Sequence, residues 1–240
     1  MPKNILKIII FFVIGMVGGI FADQILWPYF IERPLFYEYR LEQNPVYLTD
    51  VKEIFIQENT ALSQAVEKVK ETVVGVRAKA KTGEILEGSG LIITYDGLMV
   101  TLAELVPQGS DFSFFVGGKP VSFQVLKRNS ENNLALVKLE ETNLPTVGFG
   151  NFEKIKLGER IFLVGAVFDP LAARPQPVVN TGIIRSLGQD FIETNIFEKS
   201  GLKGSPLFDI EGNVLGINSI SPDGRVMAIP VSQIKAFIGM

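Results

Sequence analysis

The stretch Phe191-Ile192-Glu193-Thr194-Asn195-Ile196-Phe197-Glu198-Lys199-Ser200-Gly201-Leu202-Lys203-Gly204-Ser205-Pro206-Leu207 decides how the chain is read. It begins as an apolar strand, Phe191 to Asn195, crosses a polar loop, and turns on two glycines into a second strand. Gly201 and Gly204 bracket that turn, and glycine takes the left-handed or closely packed backbone that other residues resist. Lys203 lies between them.

Composition narrows the chemistry such a turn could serve. The chain has no His and no Cys. That removes an imidazole base, a thiol nucleophile, a disulfide framework and any His/Cys zinc site, and with them every Ser-His-Asp or Cys-His mechanism. At 240 residues there is room for a membrane segment and one domain of about 180 residues. Hydrophobic residues make up 47%, with 23 Gly, 13 Pro and many short β-branched runs, which suits strands and turns better than helices. A net charge of -3 offers no basic face for nucleic acid. No Asp-x-Asp-x-Asp-Gly loop or similar acidic cluster marks a metal site, and no cofactor is expected.

The amino terminus carries Lys3 and Lys7, an apolar run from Ile8 to Ala22, then Asp23-Gln24 and a second apolar patch, Ile25-Leu26-Trp27. Residues 5–27 have the roughly twenty-residue length a membrane span needs, with Trp27, Tyr29 and Phe30 placed as an interfacial belt. Lysines before the run and none just after it predict a single-pass anchor with its amino terminus in the cytoplasm and the main domain outside, periplasmic or at the cell surface. A cleaved signal peptide ending at Ala22 is the rival reading, and the apolar patch beyond Ala22 favours the uncleaved anchor. Residues 28–58 read as a tether, with Pro28, Pro34, Pro45 and one strand-like alternation at Val51 to Ile56. From 59 to 240 the pattern is that of one domain: a short helix with Leu62, Ala65, Val66 and Val69 on its apolar face, then successive strands. Gly88 to Ile93 and Leu98 to Val106 form a hairpin around Asp96-Gly97. A helix from Ser232 to Ile238 closes the chain.

Four blocks, in order, carry a resemblance: Gly88-Ser89-Gly90-Leu91-Ile92-Ile93 with the Val100 to Val106 strand, Asn133-Leu134-Ala135-Leu136-Val137-Lys138, Thr181-Gly182-Ile183-Ile184 with the loop quoted above, and Met227-Ala228-Ile229-Pro230. They resemble the corresponding motifs of the HtrA (Deg) family of trypsin-like serine proteases, over roughly residues 61–238. The resemblance implies an all-β, trypsin-like double β-barrel, the first barrel at about 73–140 and the second at about 147–231, with an amino-terminal transmembrane helix and a short carboxy-terminal one. It also implies that the family's histidine falls on Glu104, its aspartate on Asn133 and its serine on Lys203. The family's PDZ domains have no counterpart in these residues.

The expected function follows from those replacements. A glutamate carboxyl, titrating at about 4.3 in water, is a far weaker base than imidazole at neutral pH. Losing the serine or histidine of a triad alone costs on the order of a millionfold in turnover. No catalytic residue is therefore expected, and Glu104 and Lys203 are expected within ion-pair reach, with Asn133 as a neutral partner. Ser205, two residues beyond Lys203, takes a glycine position of the family loop and should point away from the cleft. The reading is a membrane-anchored pseudoprotease that binds an extended polypeptide or a protein partner. Its expected contacts are strand edges at Ile183, Ile184, Arg185 and Ser186 and at Gly224, Arg225, Val226 and Met227, and an oxyanion-like nest at Gly201, Leu202 and Lys203. The alternatives are an active HtrA-like endopeptidase in protein quality control with a non-standard site, and a structural, oligomer-forming module at the membrane. The family resemblance implies a homo-oligomer, a trimer, as one possibility; Phe36, Tyr37 and Tyr39 either contribute to it or, the favoured reading, simply pack on the domain.

Overall fold

The computed structural model describes residues 3–32, 60–169 and 174–240. The expected tether contacts at Phe36, Tyr37 and Tyr39 and the alternation at Val51 to Ile56 lie outside the described residues. The chain divides into two compact units, Met1–Gln57 and Glu58–Met240.

In the first unit, α1 (Lys3–Phe21) runs into a wider π-helical stretch, Ala22–Glu32, that contains Pro28. Proline supplies no N–H, so a regular i→i−4 ladder loses a donor there. The stretch Lys3–Phe30 is 28 residues long, and by length and composition it is apolar enough to cross a membrane. At 1.5 Å per residue it measures about 42 Å, longer than a ~30 Å hydrocarbon core.

In the second unit, helical backbone over residues 60–69 (α2) places Ala65 and Val69 in the core. Thirteen strands follow among the described residues. The first seven are β1 (Val73–Lys79), β2 (Ile85–Ile92), β3 (Leu98–Leu102), β4 (Asp111–Val116), β5 (Lys119–Val121), β6 (Phe123–Asn129) and β7 (Leu134–Leu139). They form one antiparallel sheet in the order β5-β4-β1-β2-β3-β7-β6. No ladder joins its two outer strands, but β5 and β6 are consecutive in the chain and only Ser122 lies between them. The sheet therefore curls into a half-barrel whose last side is a corner in one bent segment.

The remaining strands are β8 (Arg160–Val167), β9 (Gln176–Leu187), β10 (Ile192–Phe197), β11 (Pro206–Asp209), β12 (Val214–Ile220) and β13 (Arg225–Pro230). Hydrogen bonding closes them as a barrel, β10-β13-β12-β11-β8-β9. Phe162 and Phe208 are register partners on β8 and β11, are fully buried, and stack at 5.3 Å between ring centroids. Burying a side chain of that size stabilises the fold by about 1.5–3 kcal/mol. One apolar cluster includes Val74, Leu91 and Leu134 of the half-barrel together with Phe162, Phe208, Ile217 and Ile229 of the barrel, so the two halves share a core. The terminal helix α3 (Val231–Ile238) adds Ile234 and Phe237 to it and ends on Gly239 in the left-handed region.

The β2–β3 hairpin turns where the Asp-Gly signal placed it, but β3 is shorter than the sequence pattern suggested. It stops at Leu102 because its partner β7 begins at Leu134, and residues 103–105 wind into a 3-10 turn. The turn at Gly97 is crowded: φ is +96°, and a Cβ would lie 2.5 Å from the Leu139 carbonyl oxygen. Gly97→Ala is expected to lower stability by about 2–4 kcal/mol, combining left-handed strain with overpacking; urea denaturation measures it.

Beside that turn, Lys138 donates to the backbone carbonyl of Asp96 and, at 2.7 Å, to its carboxylate. This hydrogen bond, with a second from Thr94, holds the Asp96 carboxyl below the ordinary aspartate range. A depressed carboxyl contributes stability above its unfolded pKa and loses it as pH falls through the folded value, so this contribution disappears only on the acid side. In Lys138→Gln the Asp96 carboxyl should titrate at higher pH than in the parent chain. Carbon-detected NMR of that carboxyl reads the shift, and an unmoved titration would disconnect the two residues.

Candidate functional site

The quoted loop lies where the two halves of the domain meet. After β10, Ser200–Leu202 forms a 3-10 turn, Lys203 follows, and Gly204 adopts φ +74° before Pro206 enters β11. The left-handed glycine is required by close approach: a Cβ there would sit 2.2 Å from the Ser89 carbonyl oxygen and 2.9 Å from Leu105 and Thr101. The Lys203 carbonyl accepts the Ser89 N–H at 2.8 Å, which ties the loop to β2 of the half-barrel.

Glu104 projects from the 3-10 turn after β3, and Asn133 occupies the turn between β6 and β7 with φ 49°, a conformation asparagine tolerates better than most residues. Asn133 organises its neighbour through three hydrogen bonds. Its carbonyl accepts Ala103 N–H at 3.1 Å, its Oδ1 accepts Glu104 N–H at 3.0 Å, and its Nδ2 donates to Glu104 Oε1 at 3.1 Å. The other carboxylate oxygen, Oε2, accepts from Lys203 Nζ at 2.7 Å. The sequence-derived trio is thus one connected chain, Asn133–Glu104–Lys203, with both Glu104 oxygens engaged.

The side chains of Lys203 and Glu104 are 25% and 38% exposed. A pair so open to solvent contributes about 0–1 kcal/mol, so its effect is on chemistry and orientation more than on stability. A lysine in an ion pair presents an ammonium, which has no lone pair with which to attack a carbonyl. Ser205 is fully buried; its Oγ donates to Leu202 O at 2.7 Å and accepts from Asn218 Nδ2 at 2.9 Å. Among the described residues no group of three or more His, Cys, Asp or Glu could hold a metal ion.

The expected nest at Gly201, Leu202 and Lys203 is altered at its centre. The Leu202 N–H bonds back to Lys199 O at 3.1 Å, as the 3-10 turn dictates, and its side chain is buried against β8 beside Gly165. The two expected strand edges differ from the prediction more fully. Ile184 donates to Glu159 O, accepts from Gly158 N and pairs with Thr194; Ile183 N–H is bound by Asn195 Oδ1; Ser186 pairs with Glu193, and Arg185 falls in the register shift between them. Gly224 N–H bonds Ser221 O and its carbonyl accepts Glu198 N, while Arg225, Val226 and Met227 lie on β13 between β10 and β12. Among the described residues, these pairings occupy β9 on both sides at Ile183 and Ile184 and β13 on both sides at Arg225 to Met227, so no free edge lies there.

Among the described residues, a free edge lies instead at the end of β12. Asn218 bonds Ser205 O and Gly204 N on the side of β11. Antiparallel backbone groups alternate sides, so Ile220, two residues on, directs its N–H and C=O the same way. The chain that would meet them has already turned off at Gly204. Sequence reasoning missed this edge, and missed the buried polar layer of Ser89, Thr101, Ser205 and Asn218 beneath the loop. Asn218 inside the apolar run Val214 to Ile220 was the available signal.

Residues 88–217, more than half of the chain, match the family described as "Trypsin-like peptidase domain". A probable periplasmic serine endoprotease, DegP-like, of Halomonas elongata is 29% identical over 136 residues, covering 55% of this chain and 29% of that protein. Its counterpart in Chlamydia pneumoniae is 28% identical over 158 residues, covering 62% and 31%. The chain thus spans about a third of the length of these curated relatives. The solved structure of the HtrA-type protease AlgW with a tripeptide superposes with a TM-score of 0.66 at 25% identity, over 74% of this chain and 62% of that one. A half-barrel and a closed barrel joined at the loop of Lys203, matched by these relatives, place the chain in the trypsin-like peptidase family, with the fold of its HtrA (Deg) members.

Proposed function

We propose that this chain is a membrane-anchored, catalytically inactive member of its family that binds extended polypeptide outside the cytoplasm. The observation that carries the reading is Lys203 Nζ at 2.7 Å from Glu104 Oε2, in the places the family gives to its nucleophile and base. This lysine–glutamate pair stands where the family has its catalytic groups and supplies neither the hydroxyl nucleophile nor the imidazole base of that mechanism.

Binding is supported by the free N–H and C=O of Ile220, which lie next to the loop and can add one strand to β12. The AlgW structures similar to this chain were solved with a tripeptide and a decapeptide, which supports a polypeptide as the occupant. The apolar helix Lys3–Phe30, with Lys3 and Lys7 at its amino-terminal end ahead of the apolar run, supports an anchor with its amino terminus in the cytoplasm.

The full chain in detergent should release no fluorescence from quenched casein, and Lys203→Ala should behave the same. Hydrolysis that vanishes in Lys203→Ala would overturn the inactive reading. For binding, Ile220→Pro deletes one edge donor while keeping a strand-compatible backbone. It should weaken a fluorescent extended peptide by roughly tenfold, the worth of one hydrogen bond, with little change in thermal midpoint. Unchanged affinity would remove the β12 edge from the binding site.

A further inference from the structure

A hollow of about 370 Å³ opens between the Asn133 turn and the end of β12. Its wall includes Glu131, Asn133, Asp190, Phe191, Ser219 and Gln233. Asn133 is the same residue that orients Glu104, and Ser219 precedes Ile220, so the hollow connects the ion-paired site with the free edge. We propose that it is a side-chain subsite that selects a basic residue, lysine or arginine, of the bound polypeptide; this rests on the peptide-binding reading above.

Charge is the first argument. Two carboxylates, Glu131 and Asp190, line the hollow, and no lysine or arginine does. Neither is in an ion pair among the described residues, whereas the nearby Glu104 is neutralised by Lys203. The cleft beside the free edge therefore carries two carboxylates, both exposed, with no counter-charge among the described residues.

Placement is the second. Glu131 N–H is fixed by Asn129 Oδ1 at 2.9 Å, and Asp190 Oδ1 accepts from Gln233 Nε2 at 3.3 Å, so each acidic residue is tethered by a neutral group that leaves its charge intact. Phe191, 40% exposed, supplies an apolar wall for the methylene stem of a long side chain or the face of a guanidinium. Side chains of an added strand alternate, so one residue of a peptide paired at Ile220 is directed to the Ser219 side of the edge. The volume lies at the lower end of ligand cavities, suited to one long side chain.

The test uses the full chain in detergent and fluorescein-labelled decapeptides of alternating valine and threonine, with lysine, glutamate or norleucine placed at each position in turn. At one position lysine should bind roughly tenfold tighter than glutamate, with norleucine between them. The preference should collapse in Glu131→Gln/Asp190→Asn and shrink at about 0.5 M NaCl. Equal binding of lysine, norleucine and glutamate at every position, or a preference that survives the double variant, overturns the subsite alone. If no peptide binds at all to a folded chain, the peptide-binding reading fails and the subsite with it. Binding that Ile220→Pro weakens without any basic preference leaves the first standing and removes the second.

Discussion

The structure depends on the contact between Ser89 on β2 and the Lys203–Gly204 turn. Ser89 N–H binds the Lys203 carbonyl, Ser89 Oγ accepts Ala166 N–H of β8 at 2.8 Å, and Thr101 Oγ1 donates to the Ser89 carbonyl at 2.6 Å. All three side chains or backbones lie in the interior, where an unmade bond costs about 1–3 kcal/mol. This one serine thus fixes the half-barrel to the barrel through two bonds, to the Lys203 loop and to β8, while Thr101 of β3 holds it from within the half-barrel. Glycine at 204 is what lets them come so close. The meeting of Glu104 and Lys203, each from a different half, follows from that registration.

Within this frame the replacements at the site are mutually compatible. Asn133 keeps the hydrogen bonds that hold the residue-104 turn, and Glu104 divides its oxygens between Asn133 and Lys203. The added positive and negative charges cancel. A lone lysine at 203 would face a partly desolvated cleft with no counter-charge, and a lone glutamate at 104 would do the same with opposite sign. The pair is understandable as a unit, while neither member is so alone.

Much of this was legible in the sequence because it depends on local signals. Gly201 and Gly204 mark the turn, Asp96-Gly97 marks the hairpin, and the three-and-four spacing of Leu62, Ala65, Val66 and Val69 marks the helix over 60–69. The Glu104–Lys203 contact was legible only through the family resemblance, since 99 residues separate the partners. What stayed hidden depends on which strand lies beside which. Ile183 to Ser186 read as an exposed edge until Glu159 and β10 are seen to fill its ladders, and Ile220 reads as an ordinary strand end until β11 is seen to stop short of it. The Leu98 to Val106 run is mostly apolar, broken only by Thr101 and Glu104, and the limit of β7 and the reach of Asn133 decide where the strand ends. The layer of Ser89, Ser205 and Asn218 left only one signal, Asn218 within an apolar run, because some of its hydrogen bonds, such as Ala166 N–H to Ser89 Oγ, join residues far apart in the chain.

The corner at Ser122 has a consequence for life at high local concentration. An open seven-stranded sheet would present two rows of unpaired amides and carbonyls, each a template for another copy's strand. Here the two outermost strands are successive parts of one segment, so the surface on which sheets of neighbouring molecules could stack edge to edge is shortened on both sides at once. A single residue, Ser122, thus trims the strand edge that a flat sheet of the same seven strands would carry.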